Sequence, residues 1–177
     1  MIPETLIRKA PDSKLVYLSI VICFLINLYP TQNDFPFPDL LAVVLVFWFA
    51  YSPGKISIFV AWFLGLLTDI NSGSLLGEHA LIYTLMVYIA MGLHRKISWV
   101  PISTQLLQVI PIFLLALIVN SLIRYFLVDD IAPWWFLFKP ILEGLSSLIV
   151  SWILLKLIDR RTGSSIETRN TKRGIRI

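Results

Sequence analysis

The chain has 177 residues, of which 57% are hydrophobic and 15% charged, and a formal net charge of +4. Soluble domains hold roughly 45–50% apolar residues, so this composition excludes a sizeable water-soluble catalytic domain. The lone cysteine, Cys23, excludes an internal disulfide and any multi-cysteine metal site.

In chain order, a polar lead at 1–14 precedes an apolar run that predicts a first span at about 15–29. No small-residue cleavage pattern follows that run, so it is expected to stay as a signal anchor. A proline-rich segment, Pro30 to Pro38, separates it from a second span at about 39–51. Ser52-Pro53-Gly54-Lys55 reads as a tight turn into a third span at about 56–67. The segment Thr68 to His79 is rich in turn formers, and a fourth span at about 80–93 follows it. A fifth span is expected at about 102–128 and a sixth at about 134–158, with Pro111 and Pro140 expected to kink them. The tail, 159–177, is polar and basic, with no tendency to order alone. Spans two and three are shorter than the ~20 apolar residues usually needed to cross. A re-entrant or buried pair is the alternative to crossing there.

The positions of the charges set the expected topology. All 15 cationic residues except Arg124 and Lys139 fall in the lead, in alternate gaps or from Lys156 onward. Asp34, Asp39, Asp69 and Glu78 occupy the gaps that hold no cation. Cationic loops stay on the cytoplasmic side, so the pattern predicts six helices in one all-α polytopic membrane bundle, both termini inside. The excess positive charge then belongs against anionic lipid rather than nucleic acid.

Ionisable residues at membrane depth are costly and start as functional candidates. Lys139 and Glu143 are spaced i,i+4 and share a helix face, which Arg124 and Asn120 on span five are expected to reach. Such a network serves either as a proton or ion relay or as an internal packing device. The segment Gly65 to Gly77, GLLTDINSGSLLG, offers Asp69, Ser72 and Gly73 in a turn. Asp69 can accept backbone amides of that turn while Gly73 takes a left-handed conformation, or the loop can bind an external ligand. Gly65 and Ala61, and Gly144 with Ser146 and Ser147, suit close helix packing. His79 and His94 are expected on opposite sides of the membrane, so they share no metal. Ser72 near Glu78-His79 lacks a nucleophile elbow, and no catalytic residue, cofactor site or metal site is expected.

Pro38-Asp39 opening LLAVVLVFWFAYSP, and Gly65-x-x-x-Asp69 running into Ser72-Gly73-x-x-Leu76-Gly77, resemble the rod-shape-determining MreD family of membrane proteins. The resemblance covers the layout of the whole chain and is specific over residues 37–93. It implies a non-enzymatic component of the bacterial cell-elongation machinery in the cytoplasmic (inner) membrane, required for sidewall peptidoglycan synthesis. The implied partners are an MreC-like single-pass periplasmic protein and, around it, MreB filaments, RodA and penicillin-binding protein 2. The family's likeness to the substrate-binding subunits of energy-coupling-factor transporters keeps a vitamin-like small-molecule site as the alternative.

Overall fold

In the computed structural model the described residues are 11–28, 37–52, 54–97, 102–127 and 137–174, with side chains described except at 94–97, 102–108 and 159–174. Asp34, Asp129 and the side chains of His94, Arg95, Lys96, Gln105, Gln108, Arg160 and Arg161 therefore lie outside the description. Among the described residues there are six helices and no strand: α1 Ser13–Asn27, α2 Leu40–Tyr51, α3 Ile58–Ser72, α4 Glu78–Ile97, α5 Ile102–Leu127 and α6 Lys139–Gly174. Among the residues with described side chains, two stretches, Val109–Leu127 and Lys139–Ile158, are long and apolar enough to cross a membrane, while Ser13–Asn27, Leu40–Tyr51, Ile58–Ser72 and Glu78–Leu93 are shorter.

The shortest helix forms the centre. Every residue of α2 from Leu41 to Tyr51 is buried, and α1, α4 and α6 all pack on it. A helix apolar on all sides has no solvent face to offer, so its neighbours must surround it. Its 12 residues rise only ~18 Å, well short of the ~30 Å hydrocarbon layer. Asp39 starts it by accepting the Ala42 amide at 3.0 Å. Trp48, fully buried, donates its indole N–H to Ser19 Oγ at 2.8 Å and so fastens α1 to α2.

Two long-range hydrogen bonds fix the up-and-down order. Tyr17 near the start of α1 reaches the Lys55 carbonyl before α3, and Asn71 near the end of α3 reaches the Leu28 carbonyl after α1, each at 3.4 Å. The starts of α2, α4 and α6 and the ends of α3 and α5 therefore share the end opposite Lys55. α3 continues past the apolar run to Ser72, because Thr68 and Ser72 return their hydroxyls to Leu64 and Thr68 carbonyls. Gly73, at φ 64°, then stops it.

α3 and α4 touch backbone to backbone. A Cβ placed on Gly65 would lie 2.5 Å from Ala80 Cα and 2.6 Å from Ala80 N. Within lipid, where water exclusion supplies no drive between helices, such close approach is what holds a pair together. The outer faces carry large apolar side chains without protein cover, among them Leu25, Phe63, Phe126, Leu145 and Trp152. Uncovered apolar surface spread over α1, α3, α5 and α6 is that of a helix bundle built for lipid or for other helices.

Two sequence expectations are corrected. Pro140 is not a kink in the middle of a span: α6 starts at Lys139, so the proline sits in the first turn, where its missing N–H has no partner to lose. The polar tail is not without order, since α6 runs on through it to Gly174. Extending an existing helix avoids the nucleation cost that an isolated segment faces.

Candidate functional site

The end of the bundle opposite Lys55 gathers Asp39, Asp69, Glu78, Arg124, Lys139 and Glu143. Asp69, 1% exposed near the end of α3, is its most heavily bonded group. Its Oδ1 accepts the His79 amide at 2.9 Å, His79 Nδ1 at 2.7 Å and the Ser74 hydroxyl at 3.0 Å. Its Oδ2 accepts the Gly77 amide at 2.9 Å and the Ala80 amide at 3.4 Å. The carboxylate thus satisfies amides at the start of α4 that have no partner within their own helix. Gly73 and Gly77 both have positive φ, 64° and 101°, which lets the five-residue link from 73 to 77 fold back under Asp69. The contacts that the structural reading of this loop expects, backbone amides on Asp69 and a left-handed Gly73, are present. The Ser72 hydroxyl meets the Thr68 and Asp69 carbonyls and Ser74 Oγ.

Asp69, His79 and Ser74 together have the composition of a hydrolase triad but not its wiring. Asp69 Oδ1 and Ser74 Oγ both meet the same ring nitrogen, Nδ1, at 2.7 and 3.3 Å. A proton relay needs the acid on one ring nitrogen and the nucleophile on the other. Because a carboxylate only accepts, Nδ1 carries the proton and the group serves as a clamp.

Beside this clamp lies a cleft of about 140 Å³ between α2, α4, α5 and α6. Its polar part holds Asp39, Glu78, Arg124, Lys139 and Glu143, with Asn120 and Ser121, and its apolar part includes Ile82, Met86 and Phe113. Tyr83, buried, donates its hydroxyl to Asp39 Oδ2, so Asp39 both caps α2 and ties it to α4. Arg124 Nε donates to Glu78 Oε1 at 3.1 Å, linking α5 to α4. Lys139 Nζ stands 3.9 Å from Glu143 Oε1, inside ion-pair range and outside hydrogen-bond range.

The sequence-derived candidates thus fall into two neighbouring places. Asp39, Asn120, Arg124, Lys139 and Glu143 line the cleft, while Gly65, Asp69, Gly73 and Gly77 form the α3–α4 clamp. Pro38 precedes the cap of α2. Arg124 was expected on the Lys139–Glu143 face; it lines the same cleft but bonds to Glu78. Glu78, His79 and Tyr83 were not singled out as site residues, although Glu78-His79 directly follows Gly77 and could have been read as a helix start bearing an acid. Among the described residues no group of three or more His, Cys, Asp or Glu could hold a metal ion.

Comparison with known proteins points in one direction. The family model for the rod shape-determining protein MreD matches residues 13–160. The rod shape-determining protein MreD of Haemophilus influenzae is 31% identical over 139 residues, which cover 76% of this chain and 83% of that protein. No solved structure matches the chain.

Proposed function

The chain belongs to the MreD family of rod shape-determining membrane proteins, and from that premise we propose that it is a non-enzymatic membrane scaffold of the bacterial cell-elongation machinery. The family match across residues 13–160 carries this reading. In it the protein spans the inner membrane six times with both termini in the cytoplasm, and binds an MreC-like single-pass protein whose bulk lies in the periplasm. MreB filaments, RodA and penicillin-binding protein 2 are the wider assembly that this pairing supports during sidewall peptidoglycan synthesis.

The physical features that support a scaffold are the uncovered apolar faces of α1, α5 and α6 and the polar end that holds Asp39, Asp69 and Glu78. Uncovered faces accept partner helices, and the polar end meets the periplasmic partner. The cationic end, with Lys14 and Lys55 and the basic residues from Arg160 onward, rests on anionic lipid. The transporter alternative is not favoured by the cleft. At about 140 Å³ it is less than half the roughly 300–1,000 Å³ of sites that enclose a drug-sized molecule.

Affinity purification of the tagged protein from its host tests the pairing. The MreC-like protein is expected in the eluate. Absence of the MreC-like protein from wild-type eluates would remove the scaffold reading.

A further inference from the structure

We propose that the cleft between α2, α4, α5 and α6 receives a single cationic side chain, arginine or lysine, from a partner's membrane-proximal segment, with Glu143 as the carboxylate that takes it. This rests on the scaffold reading and names the chemistry of one of its contacts.

Three observations point to a cation. The first is charge: the lining holds three carboxylates, Asp39, Glu78 and Glu143, against two cations, Arg124 and Lys139, and the imidazole of His79, whose Nδ1 is taken by Asp69. The second is how those charges are already used. Asp39 holds the Ala42 amide and the Tyr83 hydroxyl, and Glu78 holds Arg124 at 3.1 Å. Glu143 accepts a hydrogen bond from the Asp39 backbone amide and has the Lys139 ammonium at 3.9 Å, beyond hydrogen-bond range. Its side chain is 8% exposed, so water does not make up the difference freely. A carboxylate offers about four lone-pair positions, and a buried one left short of donors is costly. The third is shape: Ile82, Met86 and Phe113 give the cleft an apolar part. A methylene stem ending in a charged tip matches apolar surface with carboxylates beside it, as long cationic side chains do elsewhere when they lay their stems on apolar surface.

Size narrows the ligand to a side chain. About 140 Å³ is the space of roughly five waters at ~30 Å³ each, too small for a drug-sized molecule and enough for one long side chain. Lys139 then acts as the internal placeholder. Its ammonium sits at the first position of α6, where the helix dipole disfavours a cation, and it competes weakly for Glu143. An incoming guanidinium displaces it toward solvent and forms the hydrogen bonds that Lys139 does not reach.

Met86 lines the cleft and Met91 does not, and the chain has three methionines in all. That makes methyl NMR of ¹³C-methionine-labelled full-length protein, in nanodiscs of neutral phosphatidylcholine, a direct test. The probes are n-butylguanidinium and, as the anionic control, n-butyrate. The Met86 signal is expected to shift saturably with n-butylguanidinium and not with butyrate, while Met91 stays still. Glu143→Gln should weaken the apparent affinity at least tenfold. Lys139→Met should strengthen it about threefold or more, which no loss of folding can mimic. A Met86 response to butyrate equal to that for the guanidinium, a response unchanged in Glu143→Gln, or no response to either probe would overturn the proposal. Rescue of rod shape by the wild-type gene is read separately, so an unresponsive cleft in a protein that restores rods removes this inference alone.

Discussion

Asp69 and His79 meet twice: one carboxylate oxygen accepts both the His79 backbone amide at 2.9 Å and its ring Nδ1 at 2.7 Å. A single acid at the end of α3 thereby fixes both the position and the ring orientation of a residue at the start of α4. With Gly77 and Ala80 also donating to it, Asp69 determines how the two helices join.

Replacing it should therefore unravel the junction in graded steps. Asp69→Ala strands the part-buried amides of Gly77 and His79, and at ~1–3 kcal/mol for each orphaned donor the loss is about 2 kcal/mol or more. Asp69→Asn keeps one acceptor oxygen and should lose about half of that. His79→Ala removes only the ring contact, about 1 kcal/mol. Thermal unfolding in detergent is expected to rank them wild type, His79→Ala, Asp69→Asn, Asp69→Ala. An Asp69→Ala protein melting with the wild type would refute the clamp.

Gly65 gives a sharper case, because the atoms in its way are backbone. Gly65→Ala places a methyl 2.5 Å from Ala80 Cα, so α3 and α4 must separate. Overpacking of this kind costs about 1–3 kcal/mol or more. Adding Ala80→Gly should not restore stability, since Ala80's own methyl is not the obstacle. Recovery of the melting temperature in the double variant would show that the contact is side chain to side chain.

The Arg124–Glu78 pair is expected to be asymmetric. The Glu78 side chain is 1% exposed and that of Arg124 37%. Arg124→Gln leaves a buried carboxylate uncompensated, for which about 3–5 kcal/mol is typical. Glu78→Gln leaves a guanidinium that can reach water, and should cost about 1–2 kcal/mol. Equal losses in the two variants would mean that the pair is solvated as a unit.

Topology is open to chemistry because Cys23 is the lone cysteine. In a Cys23→Ser background, Leu76→Cys should react with a membrane-impermeant maleimide on intact spheroplasts, and Lys55→Cys only after lysis. Both positions are exposed on opposite ends of the bundle. Labelling of Lys55→Cys from outside would invert the proposed orientation.

Much of this arrangement was legible because it is local. Gly73 in a turn reads as a left-handed residue, and Lys139 with Glu143 reads as an i,i+4 pair. The pairing of Arg124 with Glu78 was not legible, because 46 residues separate them and nothing in their spacing specifies which helices adjoin. Chain order favoured α6 as the neighbour of Arg124, and α5 does pack on α6, but α5 also packs on α4. The placement of α2 was half legible. Its length of 12 residues left burial as the alternative to the crossing that the charge pattern favours, and its apolar run does not say which helices cover it.

The role in cell elongation is tested most directly by depleting the protein in its native host while following cell shape and fluorescent labelling of new wall. Rods that round up, with sidewall synthesis dispersed, are the expected result. Cells that keep growing as normal rods, with labelling undisturbed after the protein is gone, would contradict it.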